Sequence, residues 1–153
     1  MAVATALGVI CEKLAIHYTV VRNGEPTVVD EGEIPVPASR TDRGDQLSWL
    51  LTEAEELLRR LEPDLIYVKK AGGQFAAGPE RHEVEAVFQV AAHRQRVPCR
   101  MLTTEQIRAS HLTKAKGAYE SLLTRPDVKS RSNKNRREQY LYAITALGKR
   151  LDE

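Results

Sequence analysis

The sequence predicts an α/β domain built on one mixed five-stranded sheet. Three β-rich runs joined by short turns occupy residues 2–34, and an amphipathic helix follows them. Two further short strands then alternate with helices, so the predicted element order is β-β-β-α-β-α-β-α-α. Antiparallel neighbours need only a short turn, whereas parallel strands need a long crossover. This order therefore combines antiparallel and parallel pairing in a single sheet.

The strands are predicted from runs of apolar and β-branched residues. The first run, AVATALGVIC at residues 2–11, is unbroken, as is typical of a central strand covered on both faces. Pro35 and Pro37 end the third strand, because proline cannot donate a hydrogen bond to a ladder. The remaining strands are predicted at residues 15–21, 27–34, 65–68 and 97–102.

The helices are predicted from apolar residues that recur with a helical period. In the first helix, residues 41–61, seven such residues fall on one stripe: Leu47, Leu50, Leu51, Ala54, Leu57, Leu58 and Leu61. Later helices are predicted from Glu80 onward, at residues 105–112 and 113–123, and at residues 136–147, although Gly117 weakens the third of these. In the last helix, Tyr140, Leu141, Ile144 and Leu147 form the predicted buried face.

Length and composition set limits on the class of protein. A chain of 153 residues with 42% hydrophobic content is long enough for one domain with a core, and we predict a single domain over residues 1–153. No charged segment precedes the apolar N-terminus and no apolar run is long enough to span a membrane, so we expect a cytoplasmic protein. Cys11 and Cys99 show no ligand spacing, and we interpret them as buried free thiols.

Positive charge is concentrated in the second half of the chain. The formal net charge is only +2, but residues 1–76 carry 8 Lys or Arg against 12 Asp or Glu, whereas residues 77–153 carry 15 against 9. The basic segment, Lys114 to Arg137, holds eight of these cations: Lys114, Lys116, Arg125, Lys129, Arg131, Lys134, Arg136 and Arg137. It favours phosphate contact, but a solvated loop accounts for the pattern equally well. Tyr119 is its only aromatic residue, so binding through it would depend on charge and shape rather than on base stacking.

A glycine-rich loop follows the fourth strand, where ligands bind in many α/β domains. The strand ends in Lys69 and Lys70, and the loop that follows contains Gly72, Gly73, Gln74 and Gly78. These glycines do not match a phosphate-binding loop, which closes with Gly-Lys-Ser/Thr, so we interpret their role as conformational. The two lysines make this end of the predicted sheet basic.

Several short motifs carry a family resemblance. The opening LGVI at residues 7–10, the segment LEPDLIYV at residues 61–68 and the late helix YLYAITAL at residues 140–147 resemble the RuvC-like and YqgF-like branch of the ribonuclease H-like superfamily. The predicted element order is also the layout of that fold. The segments GGQFAAGPERHEVEAVFQ and PCRMLTTEQIR, at residues 72–89 and 98–108, are similar to a small bacterial family of the same fold.

The resemblance implies a two-metal nuclease site that this sequence does not reproduce. Active members of the superfamily hold two divalent cations with carboxylates from the first strand, the fourth strand and the last helix. Here Ile10 stands at the first position, Lys69 and Lys70 stand at the second, and the last helix offers only Glu138. We therefore expect neither a metal nor another cofactor.

Relocated carboxylates are the alternative. Glu12, Glu85 and Glu138 could rebuild a site for Mg²⁺ or Mn²⁺ if they converged. Strand alternation places Glu12 on the face of Ile10. On helical wheels, Glu85 lies about 100° from Val84, and Glu138 lies about 160° from Tyr140, off the apolar face of its helix.

Three functions remain open from the sequence. The first is a catalytically silent ribonuclease H-like domain that binds DNA or RNA, or a partner that handles nucleic acid, through Lys69, Lys70 and the basic segment. The second is a metal-dependent nuclease or resolvase that uses the relocated carboxylates. The third is a protein-interaction scaffold, such as a homodimer, with no role in nucleic-acid binding.

Overall fold

A computed structural model describes residues 3–22, 27–70, 78–110 and 134–147 of the chain. Its five strands are β1 (Thr5–Glu12), β2 (Ala15–Arg22), β3 (Thr27–Pro35), β4 (Leu65–Lys69) and β5 (Cys99–Leu102). They form one sheet in the order β3-β2-β1-β4-β5. The β1–β2 and β2–β3 pairs are antiparallel, whereas the β1–β4 and β4–β5 pairs are parallel. The predicted mixed sheet is therefore confirmed.

The described helices are α1 (Arg43–Leu61), α2 (Pro79–Arg94), α3 (Thr104–Ser110) and α4 (Lys134–Ala146). Helices α1 and α2 cover one face of the sheet and share a core with Leu7, Val9 and Cys11 of β1. Helix α4 covers the other face, where it packs with Ala6. The helix predicted at residues 113–123 lies outside the described residues. Within the described part of the chain, no helix is long and apolar enough to cross a membrane.

Helix α1 ends at the predicted residue, Leu61, but begins at Arg43, two residues after the predicted start, because Asp42 is its N-cap. The Asp42 side chain accepts a hydrogen bond of 3.0 Å from the backbone N–H of Asp45, which satisfies one of the unpaired amides of the first turn. Leu50, Ala54, Leu57 and Leu58 are the buried residues of the predicted stripe. They give the helix its fixed orientation on the sheet.

Helix α4 lies unusually close to β1. A Cβ on Gly8 would be only 2.0 Å from the backbone oxygen of Gln139 and 2.7 Å from the backbone nitrogen of Ala143, so only glycine allows this approach. Residues 138–146 are all buried as a result. The prediction that Glu138 lies off the buried face of its helix is therefore wrong, because this helix is enclosed around more than one face.

Candidate functional site

The carboxyl ends of β1 and β4 lie side by side under α4. The parallel ladder pairs Val9 with Val68, and one step further it brings Ile10 level with Lys69. Val68 faces the α1 and α2 layer, so Lys69 faces α4, as does Ile10. Ile10 is 3% exposed and contributes only an apolar surface. The structure thus brings together the first-strand and fourth-strand positions that the resemblance singled out.

Lys69 and Glu138 form an ion pair at this place. Lys69 Nζ lies 2.5 Å from Glu138 Oε2, and the two side chains are 19% and 2% exposed. The pair joins the end of β4 to the first turns of α4. Because both charges are largely removed from water, the Lys69 ammonium is committed to Glu138.

Tyr142 lies one helical turn beyond Glu138. Its hydroxyl donates a hydrogen bond of 3.0 Å to the backbone oxygen of Leu102, at the end of β5. Burial above all, and the Glu138 and Glu105 charges after it, raise the pKa of Tyr142 well above its ordinary value. The phenol therefore stays neutral and acts as a structural donor between α4 and the sheet.

Glu12 interacts with a neighbouring strand. Its carboxylate Oε1 lies 3.1 Å from His17 Nε2, and His17 is the cross-strand partner of Ile10 on the same face of the sheet. The predicted placement of Glu12 on the face of Ile10 is consistent with this contact. Glu12 is half-exposed, so it lies at the rim of the site rather than inside it.

Glu85 belongs to the layer on the opposite face of the sheet. It is 3% exposed and follows Val84, which packs in the α1 and α2 core. Its Oε2 lies 3.4 Å from Arg81 Nε and its Oε1 lies 3.5 Å from His82 Nδ1. After burial, its charge is the next largest cause of the raised pKa of Cys11, whose side chain points away from α4. The three relocated carboxylates therefore do not converge.

The residues present do not fit the two-metal site of the superfamily. Mg²⁺ needs several carboxylate or carbonyl oxygens around one point. Ile10 offers none, Lys69 brings a positive charge, and Glu138 is already engaged by that charge. Among the residues that the structure describes, no group of three or more His, Cys, Asp or Glu side chains could hold a metal ion.

The predicted cations are only partly placed. Lys70 is exposed, and its backbone N–H donates a hydrogen bond of 2.9 Å to Leu102. Arg136 and Arg137 are half-buried on α4, and Arg136 Nη1 donates a hydrogen bond of 3.3 Å to the backbone oxygen of Gly32. Lys134 begins α4, but its side chain lies outside what the structure describes. Lys114, Lys116, Arg125, Lys129 and Arg131 also lie outside the described residues.

The glycine loop is described only at its last residue. Gly72, Gly73 and Gln74 lie outside the described residues, whereas Gly78 is the N-cap of α2. Its φ of −74° is one that any residue adopts, so the conformational role that we predicted for Gly78 is not required there. Pro79 follows at the first helical position, where its missing N–H costs nothing.

Arg43 is a central residue that the sequence does not reveal. Its Nε lies 2.9 Å from Glu83 Oε1, and its Nη2 donates a hydrogen bond of 2.9 Å to the backbone oxygen of Glu80. Its Nη1 lies 2.9 Å from the backbone oxygen of Lys13 and 3.2 Å from Gln46 Oε1. This one side chain thus joins the β1–β2 turn to the starts of α1 and α2. No periodicity or spacing distinguishes it from any other surface arginine.

This sheet order, with one helix packed across β1 and two helices on the other face, defines a ribonuclease H-like fold. Solved structures place it among RuvC-like forms of that fold. RuvC of Thermus thermophilus in complex with a Holliday junction substrate matches with a TM-score of 0.72 and 15% sequence identity, over 93% of this chain and 91% of that one. A second T. thermophilus RuvC structure matches with a TM-score of 0.67 and 14% identity, over 92% of each chain.

A eukaryotic protein shares the same fold. The yeast mitochondrial Holliday junction resolvase Ydc2 matches with a TM-score of 0.57 and 12% identity, over 96% of this chain and 78% of that one. No protein-family model and no curated protein matches the sequence. The RuvC-like resemblance that the sequence motifs carried is confirmed at the level of the fold.

Proposed function

We propose that this chain is a catalytically silent RuvC-like domain that binds nucleic acid. The observation that carries the proposal is the Lys69–Glu138 ion pair beside Ile10. An ammonium group and an apolar side chain occupy the strand ends where a nuclease of this fold needs carboxylates. A site of this composition disfavours a divalent cation, because the Glu138 carboxylate is already engaged by the Lys69 ammonium.

The positively charged residues support contact with a polyanion. Lys69 is neutralised by Glu138, so it contributes little positive charge to a ligand. Lys70, the next residue, is exposed and can contact a phosphate. In sequence, the basic segment Lys114 to Arg137 ends in the first turn of α4, the helix that also carries Glu138. Lysines and arginines that contact phosphates position a nucleic acid without reading its sequence. The proposed binding is therefore led by charge and shape.

Branched DNA is the favoured class of nucleic acid. The structurally similar T. thermophilus RuvC was solved with a Holliday junction substrate, and the likeness covers almost the whole of both chains. We expect this chain to bind a four-way junction more tightly than a linear duplex of the same sequence. The preference for a junction is inferred from the similarity of the folds, whereas binding to nucleic acid is expected from the positive charges.

Fluorescence anisotropy tests the proposal. A labelled four-way junction, a matched duplex and a single strand are titrated with the protein at several salt concentrations. We expect log Kobs for the junction to fall linearly with log salt, because bound lysines and arginines release counterions. Absence of binding to all three at low salt refutes the proposal, and a dimer in sedimentation would then favour the interaction scaffold.

A cleavage assay separates binding from catalysis. The same junction is incubated with the protein and Mg²⁺ or Mn²⁺, and we expect it to stay intact. Cleavage that Glu12→Ala or Glu138→Gln abolishes would replace the proposal with the nuclease alternative. Cleavage that both variants retain would indicate a contaminating enzyme.

A further inference from the structure

We infer that the cavity beside Arg43 is a binding site for one unpaired nucleobase, an inference that rests on the proposed function. The cavity has a volume of about 470 Å³, which is within the range of small-molecule sites. It is lined by the β1–β2 turn, the start of α1 and the start of α2. None of these residues takes part in the Lys69–Glu138 pair.

The cavity lies at the same edge of the sheet as the proposed nucleic-acid site. Lys13 and Leu14 form the turn that follows β1, and Pro79 begins the helix that follows β4. Strands β1 and β3 are both antiparallel to β2, so their carboxyl ends lie at the same edge of the sheet. Thr41 lies at this edge as well, between β3 and α1. A polymer that contacts Lys70 at the end of β4 therefore passes near this cavity.

The charges of the cavity disfavour a phosphate. Arg43 lines the cavity, but its four contacts to Lys13, Gln46, Glu80 and Glu83 occupy all three guanidinium nitrogens. Glu80 and Glu83 also line the cavity and balance the charges of Lys13 and Arg43, so the walls carry no net charge that would attract a phosphate. A ligand group that suits these walls is uncharged and carries N–H donors.

The apolar walls favour a flat ring. Leu14 is 43% exposed, and it lines the cavity together with the exposed Pro79. A base that has left the double helix presents a flat apolar face together with the N–H groups of its pairing edge. The flat face of the base would lie on Leu14, and the N–H groups of its pairing edge would donate to a carboxylate of the cavity. Lys13 would contact the backbone phosphate next to that base.

The test uses two DNA substrates that differ only in pairing. One is a duplex with a single unpaired 2-aminopurine, and the other is the same duplex with that base paired. We expect Leu14→Ala to weaken binding of the first about fivefold and to remove its fluorescence change, because the contact of the side chain with the base is lost. Binding of the paired duplex should stay unchanged.

Val90→Ala is the matched control. Val90 is 47% exposed on α2 and does not line the cavity, so its loss should affect neither substrate. Equal weakening of both substrates by Leu14→Ala, or no weakening of either, overturns the inference but leaves nucleic-acid binding intact. Failure of the wild-type chain to bind either substrate overturns the proposed function together with it.

A second variant tests the polar wall. Glu80→Gln removes the charge but keeps the side-chain shape, and the backbone oxygen that binds Arg43 is unaltered. We expect it to weaken binding of an unpaired guanine, which offers two adjacent N–H donors, more than that of an unpaired thymine, which offers one. An equal effect on the two bases contradicts the proposed contact between a carboxylate and the base edge.

Discussion

Lys69 Nζ lies 2.5 Å from Glu138 Oε2, and this contact joins the last residue of β4 to α4 across the face of Ile10. Glu138 is almost fully enclosed, so its charge depends on the ammonium group for compensation. Removing one member of a buried ion pair costs about 3 to 5 kcal/mol, whereas replacing both members is often neutral. The pair is thus a structural element that joins the sheet to α4.

Loss of the Lys69 charge should destabilise the fold. Lys69→Met keeps the aliphatic stem but leaves the Glu138 carboxylate without its ammonium partner, so we expect the free energy of unfolding to fall by about 3 kcal/mol. In urea unfolding, the double variant Lys69→Met/Glu138→Gln should recover most of this loss. Arg59→Ala, which breaks the exposed pair with Glu56, is the control and should cost less than about 0.5 kcal/mol. If Lys69→Met alone were as stable as the double variant, the ion pair would not stabilise the fold in this way.

The two neighbouring lysines should differ in nucleic-acid binding. Lys70 is exposed, whereas Lys69 is committed to Glu138. Lys70→Gln should therefore reduce the slope of log Kobs against log salt by about one phosphate contact. Lys69→Met in the Glu138→Gln background should leave the slope unchanged. The reverse result would mean that the ion pair opens when nucleic acid binds.

The sequence predicts the sheet well because its strands follow local rules. The unbroken apolar run before Cys11 and the short turns between the first three strands define the antiparallel half of the sheet. The amphipathic stripe of α1 and the alternation after it define the parallel half. Both signals come from periodicity and turn chemistry, which act over a few residues.

The site was less predictable because it depends on contacts between distant residues. The sequence identified Lys69 and Glu138 separately, but not their pairing over 69 positions. A helical wheel placed Glu138 away from the predicted buried face of Tyr140, Leu141 and Ile144, because a wheel cannot anticipate that a helix is enclosed on several sides. Gly8, which permits the close approach of α4, looked like an ordinary strand residue.

Gly8 should tolerate no side chain. A Cβ at this position would lie 2.0 Å from the backbone oxygen of Gln139. Backbone atoms of a packed helix cannot move away without disrupting the packing of the helix. We expect Gly8→Ala to lower the free energy of unfolding by about 3 kcal/mol or more, since overpacking here displaces a whole helix. Gly44→Ala is the control in urea unfolding, because its nearest neighbour is the Asp42 carboxylate at 3.3 Å. Equal effects of the two substitutions would contradict the close packing of α4.

Two helix ends offer a way to stabilise the chain. Glu62 and Arg96 have φ values of 46° and 59° at the ends of α1 and α2, in the left-handed region that disfavours a Cβ. We expect Glu62→Gly and Arg96→Gly each to raise the free energy of unfolding by about 0.5 to 1 kcal/mol. The changes should add, because the two positions end different helices. Thermal unfolding measures the effect, and a decrease for either variant would show that its side chain contributes more than the strain removes.

The buried Cys11 and the half-buried Cys99, which the sequence predicts to be buried, should make the fold sensitive to alkaline pH. Burial raises the pKa of Cys99 from its ordinary value of 9.0 to about 12, and burial followed by the Glu85 charge raises the pKa of Cys11 further. Above about pH 9 the unfolded chain loses these protons while the folded chain retains them. The free energy of unfolding therefore falls as pH rises, by up to about 1.4 kcal/mol per pH unit for each thiol. Urea unfolding at about pH 8 and pH 10 measures the loss, and Cys99→Ala should reduce it by about 1 kcal/mol. An equal loss in the wild type and the variant would mean that Cys99 is not sheltered in the folded protein.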